Sequence, residues 1–219
     1  MSEIAVVLIT ACPRDLPTRF GYYYLRKAAD TLAAYGHKIV FLRSASLPNF
    51  RKALVTYDPR LVMLNGHGGR KAVTGCDQVL LGVVSYDPEL GKKILRENPA
   101  WMTGRIVFLF TCNAGLELAP RLAEEGALAV VGFRRDYIFL SDDPEPVRPG
   151  RSVPFFMAPI MFPMVLARGG TVGEAVNSVK ESYRRFIAEA DRKGDEMSAK
   201  YLNYDLENMV VYGDMRVRL

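Results

Sequence analysis

Five short apolar runs constrain this chain most: Ile4–Thr10, His37–Leu42, Leu61–Leu64, Arg105–Phe110 and Ala127–Val131. Runs this short, apolar at nearly every position, read as strands covered on both faces. Helical patterns alternate with them. Within Phe20–Tyr35, the side chains Tyr22, Leu25, Ala29 and Leu32 recur at helical spacing, and Gly36 closes the element. Pro48–Tyr57, Pro88–Glu97 and Leu116–Glu125 suit further helices, while Arg70–Tyr86 reads as a small hairpin or covering loop. Strands and helices in this order connect as crossovers, which predicts an α/β three-layer sandwich with a mainly parallel central sheet and helices on both faces.

The tail has a different texture. Ser141–Ser152 is charged and contains three prolines and a glycine, which predicts an exposed, flexible connection. Phe155–Leu166 is almost wholly apolar despite Pro159 and Pro163, as expected of a buried, kinked helix too short to span a bilayer. Thr171-Val-Gly-Glu174 is a capping box opening a helix to about Lys193, and Asp195–Asn208 suits another. Met209–Tyr212 and Met215–Leu219 read as a strand pair around Gly213-Asp214. With 219 residues, 49% of them hydrophobic, a single domain over 1–219 is favoured.

Two of the strands end on chemistry. Leu61–Leu64 runs into Asn65-Gly-His67-Gly-Gly69, and Ile106–Phe110 runs into Thr111-Cys112-Asn-Ala-Gly115. The carboxyl edge of an open parallel sheet is where such folds present reactive side chains. A cysteine of ordinary pKa, about 8.5, is mostly thiol at neutral pH and needs a neighbouring base to attack a carbonyl. His67 is the candidate base; His37, opening a strand after a helix-ending glycine, reads as structural. Both histidines precede Cys112, whereas papain-like and α/β-hydrolase-like sites place the nucleophile first.

The remaining composition excludes several classes. The net charge of +5 is scattered among 24 acidic residues and forms no basic block, which argues against nucleic acid. Cys12, Cys76 and Cys112 are too few and too far apart for a disulfide framework or a CxxC metal site, and with no basic leader or membrane-length span a cytoplasmic setting is expected. The single glutamine, Gln78, leans toward a heat-loving source. Gly66–Lys71 lacks the third glycine of a dinucleotide fingerprint, no Walker loop is present, and there is no G-x-S-x-G elbow. His67, Cys76 and Asp77 lack a recognised metal-ligand spacing.

The strand ending in His67-Gly68, the later strand ending in Thr111-Cys112, and the segments Gly173-Glu-Ala-Val176 and Val210-Val-Tyr-Gly213-Asp214 together resemble the caspase-hemoglobinase fold, in particular its gingipain-like and CHAT-domain members. The turn Asn113-Ala-Gly115 departs from the legumain-type and caspase-type turns, so no subfamily is assigned. The resemblance implies a cysteine endopeptidase acting on peptide or protein substrates without metal or cofactor. It also implies a His67–Cys112 dyad and an oxyanion hole from the Gly68 and Cys112 amides, each donor contributing about 3 kcal/mol. The pocket for the residue before the scissile bond would draw on Arg14, Asp15 and Arg19 or on Asp136 and Asp142, with a lean toward basic residues. Self-processing would fall within Ser141–Ser152, at Asp142-Asp143, Arg148 or Arg151. Two other readings stay open: an inactive caspase-fold regulatory or partner-binding protein, and a flavodoxin-like small-molecule binder.

Overall fold

The computed structural model describes residues 4–76, 78–83, 98–146 and 150–219, together with the backbone of two short strands between 84 and 97. The elements run β1 (Val6–Ala11), α1 (Leu16–Ala34), β2 (Lys38–Leu42), α2 (Leu47–Tyr57), β3 (Leu61–Asn65), β4 (Gly68–Gly69), β5 (Ala72–Thr74) and β6 (Val79–Gly82). Then follow β7 (Tyr86–Asp87), β8 (Lys92–Lys93), a 3₁₀ turn (Pro99–Met102), β9 (Ile106–Phe110), α3 (Leu118–Glu124) and β10 (Ala129–Phe133). The chain closes with α4 (Val153–Ala167), α5 (Val172–Arg192), α6 (Glu196–Asn208) and β11 (Met209–Gly213).

The central sheet has the order β11-β10-β9-β3-β1-β2. All its neighbours are parallel except β11, which runs antiparallel to β10. Alternate residues of each strand feed opposite layers, as the two-residue pleat requires. Val7, Ile9, Leu61, Met63, Ile106 and Phe108 pack with α1, α4, α5 and α6. Leu8, Val62, Leu64, Val107 and Leu109 pack with α2, α3 and the small β4-β5-β6 sheet. Fully burying each such aliphatic side chain is worth about 1.5–3 kcal/mol. The outcome is the three-layer α/β sandwich.

Helix α4 explains how one face is closed. It is apolar all round because it lies between α1 and α5, and Pro159 and Pro163 sit inside it. Helix α5 opens on the expected capping box: Thr171 Oγ1 accepts from the Glu174 amide and Glu174 accepts from the Thr171 amide. His37 is structural, with the Ala5 amide donating to Nδ1 and Nε2 placed 3.1 Å from the Ala167 carbonyl.

The structure corrects four sequence expectations. Helix α1 begins at Leu16, ahead of Phe20, because Asp15 caps it and proline is tolerated in a first turn. The chain after β11 does not fold back on it: β11 pairs with β10, and Arg218 bridges to Thr171. The helix expected over Pro88–Glu97 falls largely outside the described residues, and Lys92–Lys93 within it is a strand paired with Tyr86–Asp87. Cys12 and Cys76 form a disulfide across 64 residues, which removes the cysteine argument for a reducing compartment. Sequence distance hid the pair: Cys12 follows β1 and Cys76 follows β5, and both reach the same end of the molecule.

Of the Ser141–Ser152 connection, Arg148 and its two neighbours lie outside the described residues. Its described ends are tied down, with Asp142 accepting from the Arg151 amide and Arg151 paired to Asp195 at 2.6 Å. Among the described residues, no helix is long and apolar enough to cross a membrane. The disulfide gives a direct check: protein isolated without reductant should show one thiol per chain to Ellman's reagent in denaturant, and three after reduction. Three thiols before reduction would contradict the bridge.

Candidate functional site

Register builds the site. Ala11 of β1 pairs with Asn65 of β3, and Asn65 pairs with Phe110 of β9, giving one row across three adjacent parallel strands. His67 lies two residues beyond Asn65, and Cys112 two beyond Phe110. Both line one small cleft with Thr18, Phe110, Tyr137 and Phe139. The cleft opens beside the switch point, where the chain stops building toward β2 and starts building toward β9, the usual position for a site in an open α/β sheet.

Asp15 joins them from the third strand. Its Oδ1 accepts from the Thr18 amide in the α1 capping box, and its Oδ2 lies 2.5 Å from His67 Nε2. Partial burial raises this carboxyl, but hydrogen bonds from Thr18 and His67 outweigh that and hold it below its ordinary value. A carboxylate on Nε2 fixes the tautomer and leaves Nδ1 for proton exchange. Asp15 therefore orients His67, a role its sequence context did not reveal.

The turn at Cys112 is close-packed. A side chain at Gly68 would overlap the Cys112 carbonyl oxygen, so glycine is needed for the two strand-end loops to meet. The His67 carbonyl accepts from Thr74, and Gly68 stands opposite Val73 in the next, non-bonded pair, which turns its amide away from β5. Asn113, directly after the cysteine, adopts φ 57°, and its side-chain amide donates to Asp136 at 2.6 Å. Asparagine tolerates this left-handed conformation better than most residues.

Cys112 is the free cysteine among the three, and it is partly buried. Burial pushes its thiol up; the Tyr137 amide, donating to Sγ at 3.3 Å, opposes this, and the nearby Asp136 and Asp205 carboxyls add to the rise. The form at neutral pH is thus the thiol.

The other sequence-nominated residues lie elsewhere. Arg14 borders a separate depression with Cys12 and Arg43. Arg19 pairs with Glu145 at 3.3 Å. Asp142 faces Arg151 and Lys193 in a third depression, and Asp136 lies with Arg134 and Arg135 in a fourth. None of these lines the Cys112 cleft. Among the described residues no group of histidine, cysteine and acidic side chains is arranged to hold a metal ion, and Asp77 lies outside them. No family model matches the sequence, and no curated protein matches it significantly.

Sequence reasoning missed Asp205. It is wholly buried on α6, accepts from the Ile138 amide through Oδ1, and has no partner for Oδ2 among the described residues. Burial pushes its carboxyl up to about 8, opposed only by the Ile138 hydrogen bond. The unfolded chain would titrate near 3.9, so between these values the folded protein holds the extra proton. This contribution is full below about pH 4 and is lost as pH rises through about 8. Asp205→Asn keeps the Ile138 acceptor and removes the titration. Its melting temperature should therefore fall less than the wild type's between pH 5 and 9, by several degrees; parallel curves would contradict a buried neutral carboxyl.

Proposed function

We propose that this chain is a cysteine endopeptidase of the caspase-hemoglobinase kind, acting on peptide or protein substrates. The observation that carries the reading is the placement of His67 and Cys112 at equal distances beyond a paired residue on neighbouring parallel strands, in one cleft, with Asp15 on the far nitrogen of His67.

In this reading Sγ of Cys112 attacks the substrate carbonyl while its proton passes to His67 Nδ1, and Asp15 stabilises the imidazolium that forms. The Gly68 and Cys112 amides receive the developing oxyanion. Collapse breaks the C–N bond, and the amine departs with the proton from His67, leaving a thioester on Cys112. Water then attacks the thioester as His67 takes its proton. Release of the carboxylic acid returns that proton to sulfur. Every atom and electron is accounted for without a metal or organic cofactor.

Self-processing would fall in the 141–152 connection, the proline-rich segment between β10 and α4. In the cytoplasm, the expected compartment, the Cys12–Cys76 bridge would have to persist among thiol reductants, as disulfides inside heat-loving organisms do. The sparing use of glutamine fits that source.

A peptidyl acyloxymethyl ketone, which needs an activated thiolate and a substrate-like pose, provides the test. Intact-mass analysis should show one adduct on Cys112 in the wild type and a loss of at least about a hundredfold in rate in His67→Ala. Equal labelling of the two proteins would support an inactive member of the same fold, and a copurifying small molecule in the cleft would favour a binding protein.

A further inference from the structure

The residue whose carbonyl is attacked carries its side chain on the adjacent carbon, so that side chain must settle closest to Sγ of Cys112. The walls there are rings: Phe110, Tyr137, Phe139 and Phe156 line the cleft. They hold one another. Phe139 and Phe156 meet edge to face at 4.9 Å, and Phe110 and Tyr137 do so at 5.0 Å. The Tyr137 hydroxyl is taken up by the Phe155 carbonyl, with Tyr183 Oη 3.3 Å away, so Tyr137 contributes its ring.

Among the described lining residues there is no Asp, Glu, Lys or Arg. The nearby charged loop residues have partners other than the cleft space: Asp15 holds His67 from behind, Arg19 pairs with Glu145, and Asp136 accepts from Asn113. Asp205, the nearest buried carboxyl, is wholly enclosed and does not line the cleft. Burying an unpaired charge against aromatic walls is strongly unfavourable. The free space is about 50 Å³. A cleft this small favours a compact side chain over a bulky one.

We propose, resting on the cysteine-peptidase reading, that the preferred residue before the scissile bond is uncharged, compact and aliphatic, seated on the Phe110, Tyr137, Phe139 and Phe156 rings. This departs from the acidic and basic preferences considered from sequence.

The test uses acyloxymethyl ketones identical except at that residue (Ala, Leu, Phe, Arg and Asp), with second-order labelling rates at Cys112 read by intact mass. The leucine or alanine probe should exceed the arginine and aspartate probes by about a hundredfold. Phe139→Ala, which opens the wall, should raise the phenylalanine probe relative to leucine by about tenfold. An arginine or aspartate probe reacting fastest overturns the proposal while leaving the peptidase reading intact; an arginine advantage abolished in Asp205→Asn would assign the pocket to that carboxyl instead. Rates that do not depend on the probe, and match those of His67→Ala, overturn both.

Discussion

The parallel pairing of β3 with β9 is the constraint on which the rest depends. Its register sets Asn65 against Phe110 and so brings His67 and Cys112 into one cleft. The pairing is held by apolar residues buried on both faces, and a one-residue slip of β3 would exchange Val62 and Leu64 with Leu61 and Met63 between two differently packed layers. Because β1 pairs on the other side of β3, the loop after β1 enters the same edge, and the α1 capping box presents Asp15 to His67. The geometry of the site thus follows from sheet order more than from any local motif.

Close backbone approach fixes the rest. Gly68 lets the two strand-end loops touch, and Asn113 turns the chain away directly after Cys112. The thiol is held by the Tyr137 amide in partly buried surroundings that favour its neutral form. Such a cysteine is mostly thiol at neutral pH, and in the proposed reading Asp15, which orients His67, would bear on its reactivity without touching sulfur. Asp205, wholly buried behind the Ile138 segment, adds to the rise in the thiol's pKa.

Much of this was legible from the sequence because the signals are local. Apolar runs gave the central strands, helical spacing gave α1, and the capping box gave the start of α5. His67 and Cys112 stood out because each ends such a run in a small-residue turn. What stayed hidden depends on contacts between distant residues. Asp15 looked like a loop charge since its partner lies 52 residues away. The Cys12–Cys76 bridge, the pairing of β11 with β10, and the burial of Asp205 by the β10 loop have the same cause. The charged loop residues nominated for substrate recognition carried no local sign of which way they turn.

The central claim is that Asp15, His67 and Cys112 act as one unit, and a double-mutant cycle tests it most directly. Alkylation of Cys112 by iodoacetamide near pH 7 would be followed in the wild type, Asp15→Asn, His67→Ala and the double variant. The account predicts slower reaction in each single variant, and no further loss when Asp15→Asn is added to His67→Ala, because Asp15 acts only through the imidazole. Additive losses, or a rate at Cys112 indifferent to His67, would contradict it.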